Sequence, residues 1–241
     1  MIFHIITLFP ESIEPYLKSS IVGRARTKKL VKVKYYDLLS FASNKHKKAH
    51  PRRSRRVDDR PYGGGPGMVV QIEPIMKALQ AVKIRNKQKV KIILFSATGK
   101  QFNNASAAKL AKNYNELVLI CGRYEGIDER VKRILRDELS ARGGSASGGQ
   151  IEELSVGPYV LTGGELPAMI FIDAVSRQVK GVLGKEKSLE EKRLGVGVPV
   201  YTRPEIFTYQ GKKYRVPKVL LSGDHANIKE WRKKHKKLTK E

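Results

Sequence analysis

The chain has 241 residues, 48 of them basic and 23 acidic, for a formal net charge of +25. That length supports one large domain, or an average one with a small companion, and 40% apolar residues are enough for a core, which excludes a wholly disordered chain. So large a positive excess does not help folding and favours a polyanionic partner, most often nucleic acid. A general basic adaptation is the bland alternative, and the clustering of charge in Lys45 to Arg60 and Lys229 to Lys240 argues against it.

Met1 to Pro10 is apolar without a basic leader or cleavage site and reads as a first strand rather than a signal peptide. Pro10-Glu11-Ser12 reads as a helix start, and Val31 to Tyr36 alternates as a half-exposed second strand. The spacing predicts a helix over Ile72 to Ile84, a buried strand over Lys91 to Phe95, a turn at Ser96 to Gly99 and a helix over Asn103 to Asn113. A strand over Glu116 to Ile120 is followed by a helix over Gly126 to Leu135, and a further helix spans Leu166 to Val179. Strands alternating with helices in this way imply an α/β fold with a mostly parallel sheet covered on both faces. Lys185 to Gly197 reads as a linker. Tyr201 to Glu241 is too short for a large core of its own, with Ile228 to Lys234 forming a basic helix anchored by Trp231.

Cys121, the only cysteine, excludes an intrachain disulfide and a cysteine-based zinc site. It ends the apolar run Leu117-Val118-Leu119-Ile120 and reads as a buried structural thiol rather than a nucleophile. No stretch approaches the roughly 20 apolar residues that cross a bilayer, so the expectation is a soluble, cytoplasmic protein without a membrane partner. Arg142 to Gln150 has the composition of a surface loop. It contains an echo of the ABC signature, Ser147 to Gln150, and a release-factor-like Gly148-Gly149-Gln150, but the chain has no phosphate loop of the Gly-x-x-x-x-Gly-Lys type.

The most informative segments are Gly122-Arg123-Tyr124-Glu125-Gly126-Ile127-Asp128-Glu129-Arg130 and Gly157 to Met169. Each is a glycine-rich loop after a short apolar run. Loops at the carboxyl ends of strands are where open α/β sheets bind ligands, because glycine allows close backbone approach. Two of them in one small domain predict one shared pocket.

These segments, with Pro61-Tyr62-Gly63-Gly64-Gly65-Pro66-Gly67-Met68, Ile172-Asp173-Ala174-Val175-Ser176-Arg177 and Tyr201-Thr202-Arg203-Pro204, closely resemble the bacterial tRNA (guanine-N1) methyltransferase family, in the family's order from residue 1 to roughly residue 235. The resemblance implies a SPOUT-type domain over residues 1–184 with a deep trefoil knot. It implies a linker over 185–200 and a small, helical tRNA-binding domain over 201–241. It also implies an obligate homodimer with composite active sites, S-adenosylmethionine as methyl donor, magnesium for full activity, and tRNA as substrate, methylated at N1 of the guanine 3′ of the anticodon.

The chemistry needs a base to remove the N1 proton and a cation to stabilise charge developing at O6. By resemblance Arg177 is the catalytic arginine, and Glu125 contacts substrate or cofactor; a carboxylate stabilised at a helix amino terminus is the plain alternative for Glu125. The cofactor pocket, on the same ground, comprises Ser96, Ala97 and Gly99; Gly122, Arg123, Tyr124 and Gly126; Val156, Gly157, Pro158, Tyr159, Val160 and Leu161; and Gly163, Gly164 and Pro167. RNA contacts fall to Gly63, Gly64 and Gly65, to Arg203 and His225, and to Arg52, Arg53, Arg55 and Arg56. The four arginines lie in an apparent insertion, Ala49 to Arg56, where they are expected to add phosphate contacts. No residue is assigned as a metal ligand.

The chain departs from the family pattern in its general base. The family's linker aspartate, counted from Gly184, falls on Lys192, the linker is shorter, and Glu190 or Glu191 stands nearby, Glu191 being favoured. Pro158 replaces a frequent aspartate, Ala141 to Gln150 reads as a second insertion, and the carboxyl-terminal piece is short. Two other readings remain open at this stage: an RNA-binding protein that retained the fold without much catalysis, and a related methyltransferase with another RNA target.

Overall fold

A computed structural model of the chain describes residues 1–42, 56–84, 89–141, 151–184 and 197–235. The chain divides into two compact units, Met1–Val182 and Leu183–Glu241.

The first unit is built on a five-stranded sheet of β1 (Ile2–Thr7), β2 (Lys32–Asp37), β5 (Val90–Gln101), β6 (Glu116–Ile120) and β7 (Ile151–Ser155), in the order β2-β1-β6-β5-β7. Every pairing in it is parallel. A small antiparallel pair, β3 (Asp58–Asp59) and β4 (Val69–Val70), lies outside it. The helices are α1 (Pro10–Lys18), α2 (Ser20–Thr27), α3 (Ile72–Ala81), α4 (Asn104–Asn113), α5 (Arg130–Ala141) and α6 (Glu165–Gln178).

The period-two alternation of the central strands feeds two cores. Phe3 and Ile5 of β1 and Leu117 and Leu119 of β6 pack with Ile13 and Leu17 of α1, Leu110 of α4 and Phe171, Ile172 and Val175 of α6. Ile6, Val118 and Ile120 face the other way, onto Ile75 and Ala78 of α3 and Val131 and Leu135 of α5. A sheet buried on both faces must read as continuous apolar runs, as β6 does. At roughly 25 cal/mol per Å² of apolar surface buried, these two layers are the main stabilising term.

Two local expectations are corrected. Ser96 to Gly99 is not a free turn but a bulge within β5, whose register against β7 shifts between Phe95 and Lys100. A Cβ at Gly99 would lie 2.7 Å from the carbonyl carbon of Leu154, so only glycine lets the strands close again after the bulge. The helix expected over Gly126 to Leu135 starts later, at Arg130. Gly126, at φ +118°, closes a tight turn onto the Arg123 carbonyl (2.9 Å), and the Asp128 carboxylate then accepts from the Arg130 amide (2.9 Å), as a capping residue does.

In the second unit the basic helix is present as α8 (His225–Lys234), capped by the Asp224 carboxylate, which accepts from the amides of Ala226 and Asn227. Trp231 meets Tyr201 edge-on at 6.2 Å and stacks on His235 at 4.1 Å. The unit is not wholly helical. Besides the one-turn α7 (Lys218–Leu221) it contains an antiparallel hairpin, β8 (Ile206–Tyr209) and β9 (Lys212–Arg215). Gln210 and Gly211 both have positive φ, the conformation a two-residue primed turn requires, and the Gln-Gly pair between alternating side chains was its sequence signal.

Candidate active site

The predicted shared pocket exists. A cavity of about 360 Å³ opens at the β5 bulge and the carboxyl ends of β6 and β7, within the size range of small-molecule sites. Ser96 and Ala97 from the β5 bulge line it, with Gly122, Arg123, Tyr124, Glu125 and Gly126 after β6. Val156, Gly157, Tyr159, Val160, Leu161, Gly163, Gly164 and Pro167 follow from the segment between β7 and α6. Two predicted members are absent from its lining. Gly99 is spent on the β5–β7 closure, and Pro158 lies at an exposed position between the lining residues Gly157 and Tyr159.

The loops are locked to one another through their backbones. Gly164 N–H donates to the Gly122 carbonyl at 2.9 Å, and Arg123 and Gly163 form an antiparallel bridge. This closeness explains the glycine pair: a Cβ at Gly164 would sit 2.6 Å from Cα of Cys121, and one at Gly163 would strike the side chains of Glu165 and Arg123. Glu165, at the start of α6, is buried; its carboxylate accepts from Thr7 Oγ1 at 2.8 Å and lies 3.1 Å from Arg123 Nε. That second contact is an ion pair without hydrogen-bond alignment, since the buried Nε has no aligned acceptor. The Arg123 guanidinium also donates to the Thr162 carbonyl (3.3 Å) and covers the Phe9 ring at 4.4 Å. Cys121 is fully enclosed beside it, and burial pushes its thiol pKa well up, so it is the inert structural thiol expected.

Glu125 is exposed at the cavity and is not at a helix terminus. Its amide donates to the Met68 carbonyl (3.1 Å), and its side chain lies against Gly67, where a Cβ would be 2.6 Å from Oε1. The glycine-rich segment that includes Gly63, Gly64 and Gly65, all exposed and all at positive φ, therefore ends against the pocket's own carboxylate. Arg56 lines a second cavity, about 930 Å³, with Asp58, Arg60, Tyr62 and Arg130. Arg130 is tied to Asp128 at 2.6 Å, which holds the Asp128 carboxyl below its usual range.

Arg177 lies in the last turn of α6, half-buried, and does not line the cavity within one chain. In the second unit Arg203 and His225 are exposed. Arg52, Arg53, Arg55, Glu190 and Glu191 fall outside the described residues. Among the described residues no group of three His, Cys, Asp or Glu could hold a metal ion, and no helix is long and apolar enough to cross a membrane.

Sequence reasoning missed a charged wall. Glu129 and Lys132 of the loop and helix after β6 and Glu153 of β7 also line the cavity. Lys132 Nζ lies 2.8 Å from Glu129 and 3.1 Å from Glu153. Burial alone would lower its pKa, but the two carboxylates hold the ammonium above its ordinary range. The Glu129–Lys132 spacing of i, i+3 was visible in the sequence; the approach of Glu153, on another strand, was not.

The profile of the tRNA (Guanine-1)-methyltransferase family, TrmD, matches residues 1–241. A tRNA (guanine-N(1)-)-methyltransferase of Dictyoglomus turgidum is 45% identical over 95% of this chain and 82% of its own length. Proteins of the same name from Mannheimia succiniciproducens and Ruminiclostridium cellulolyticum are each 43% identical, over 95% and 96% of this chain and 81% and 89% of their own lengths. With the whole chain matched and the glycine-locked loops in place, the protein belongs to the tRNA (guanine-1)-methyltransferase family.

Proposed function

We propose that this chain transfers the methyl group of S-adenosylmethionine to N1 of the guanine 3′ of the anticodon in tRNA. The observation that carries the reading is the single cavity walled by the β5 bulge, the Gly122–Gly126 loop and the Val156–Gly164 segment. Its size suits a nucleoside-bearing cofactor, and Gly122, Gly126, Gly157, Gly163 and Gly164 line it without side chains that would fill it. When bound there, the cofactor supplies an electrophilic methyl on a sulfonium.

The chain's own residues then have separable tasks. The Arg123–Glu165 pair and the Gly164–Gly122 bond fix the two loops relative to each other, so that the acceptor meets a preset geometry. Glu125 stands between the cavity and the exposed glycine segment, in position to meet the incoming base. Arg177 stabilises charge at O6, and Glu191, or its neighbour Glu190, takes the N1 proton. Because Arg177 does not line the cavity of its own chain, it serves a cavity completed by a second copy, which makes the homodimer part of the proposal. The trefoil knot, a cytoplasmic location, the RNA-binding role of the unit that includes Arg203 and His225, and a magnesium requirement complete it.

The test is methyl transfer from labelled S-adenosylmethionine to an unmodified tRNA transcript and to one with adenine in place of the target guanine. Transfer to the first alone, with 1-methylguanosine as product, is the expected result. Glu191→Gln should then lower kcat with little change in cofactor affinity. Transfer to neither transcript, with both ligands bound, would favour an RNA-binding protein on this fold.

A further inference from the structure

The β8–β9 hairpin has an unusual face. Its register pairs Phe207 with Tyr214 and Tyr209 with Lys212, so side-chain alternation places these four on one side of the ribbon. Ile206, Thr208, Lys213 and Arg215 occupy the other. Lys212 Nζ sits 5.5 Å from the centre of the Tyr214 ring, which confirms that the two share a face. Phe207 and Tyr209 are each 57% exposed and Tyr214 is 50% exposed. Three adjacent aromatic rings are thus left about half in water on a two-stranded ribbon, so much of their apolar surface goes unburied within the hairpin.

The occupant is indicated by charge. Residues 206–215 include Lys212, Lys213 and Arg215 and no carboxylate, which suits a polyanion and disfavours an apolar protein surface or a bare lipid tail. Rings interleaved with cations match the way single-stranded nucleic acid is gripped: bases stack on the rings while cations follow the phosphates. A regular duplex offers no free base faces. We propose that the Phe207–Tyr209–Tyr214 face is a stacking platform for an unpaired nucleobase of the tRNA, with Lys212 on the adjoining phosphate. The inference rests on the tRNA substrate proposed above and adds a base contact remote in sequence from the cofactor loops.

The full chain is titrated with an unmodified tRNA transcript and, separately, with a fully paired RNA duplex, over a range of salt concentrations. Stacking on one base corresponds to about 5-fold or more in affinity. Phe207→Ala and Tyr214→Ala should therefore each weaken tRNA binding about 5- to 10-fold and leave duplex binding unchanged. The logarithmic salt slope should not move, because stacking releases no counterions, whereas Lys212→Ala should flatten it. Tyr214→Phe, which keeps the ring, should bind like the unmodified protein. Unchanged tRNA affinity in both alanine variants, or equal losses on tRNA and duplex, would overturn the platform. A loss accompanied by a fall in sedimentation mass would overturn it too, by showing that the face packs against a second copy. Wild-type 1-methylguanosine formation is assayed in parallel: its failure with ring-dependent tRNA binding would remove the methylation reading and leave this one standing.

Discussion

Two buried carboxylates sit at opposite ends of the same sheet and serve different purposes. Glu116 begins β6 at the amino end, where its Oε2 lies 2.9 Å from His4 Nε2, while His4 Nδ1 lies 3.0 Å from the Tyr36 hydroxyl. All three residues belong to adjacent strands, so the network joins elements that the sheet already holds. Glu165 lies at the carboxyl end, and its partners, Thr7 and Arg123, belong to the end of β1 and to the loop after β6. That pair holds segments that no ladder holds. Equal burial therefore has unequal consequences: one carboxylate contributes to stability alone, the other also sets the shape of a cavity.

The sharpest way to break the comparison is to delete the cavity-end carboxylate. Glu165→Ala strands a guanidinium that is only 24% exposed and should cost about 3 kcal/mol in denaturant unfolding, near the low end for a broken buried pair. Calorimetry should show a parallel loss of S-adenosylmethionine affinity, and undiminished affinity would show that the clamp does not shape the site. Gly164→Ala is next. Its methyl group meets the Cys121 backbone, which cannot swing aside, so about 1–3 kcal/mol of overpacking is expected, with the loops forced apart and cofactor binding weakened.

At the other end, Glu116→Ala leaves a buried His4 donor unpaired and should cost about 1–2 kcal/mol with no change in cofactor affinity. A change in that affinity would erase the distinction between the two ends. The smallest effect is the pH dependence of the same network. Burial pulls the His4 pKa below 6.5, although Glu116 opposes it, so the folded protein prefers the neutral ring. The unfolded chain then binds the extra proton first. Stability from this group is fully present above about pH 6.5 and falls as pH drops below it. His4→Gln should flatten that part of a stability–pH profile, and an unaltered slope would assign the dependence to other groups.

Much of the fold was legible because the signals were local. After Glu116, β6 is an unbroken apolar run of four residues, and α4 begins at an Asn103 cap, so strand and helix were both visible without neighbours. The glycine loops were legible as a shared pocket for the same reason. Three features were not. The bulge in β5 reads as a turn locally, since only pairing to β7 on both sides of it makes it strand. The late start of α5 depends on Val70, whose amide donates to the Gly126 carbonyl and whose carbonyl accepts from the Asp128 amide, so that Gly126 to Asp128 is drawn along β4 before the helix begins. The hairpin of the second unit carried a turn signal that its strands, four residues each and one of them mostly basic, obscured.

The sequence by itself determined the layered α/β architecture, the buried inert thiol and the family, because apolar periodicity and ordered motifs are properties of the chain alone. Which glycines line the cavity was decided only in three dimensions. Gly99 and Gly164 are glycine because another backbone passes within a methyl group's width, while Gly126 must turn at positive φ. The same holds for Glu165 and Arg123, whose partners lie up to 158 positions away in the sequence. Local composition sets what each segment can become, but the distance between two segments is fixed only when the sheet brings their ends together.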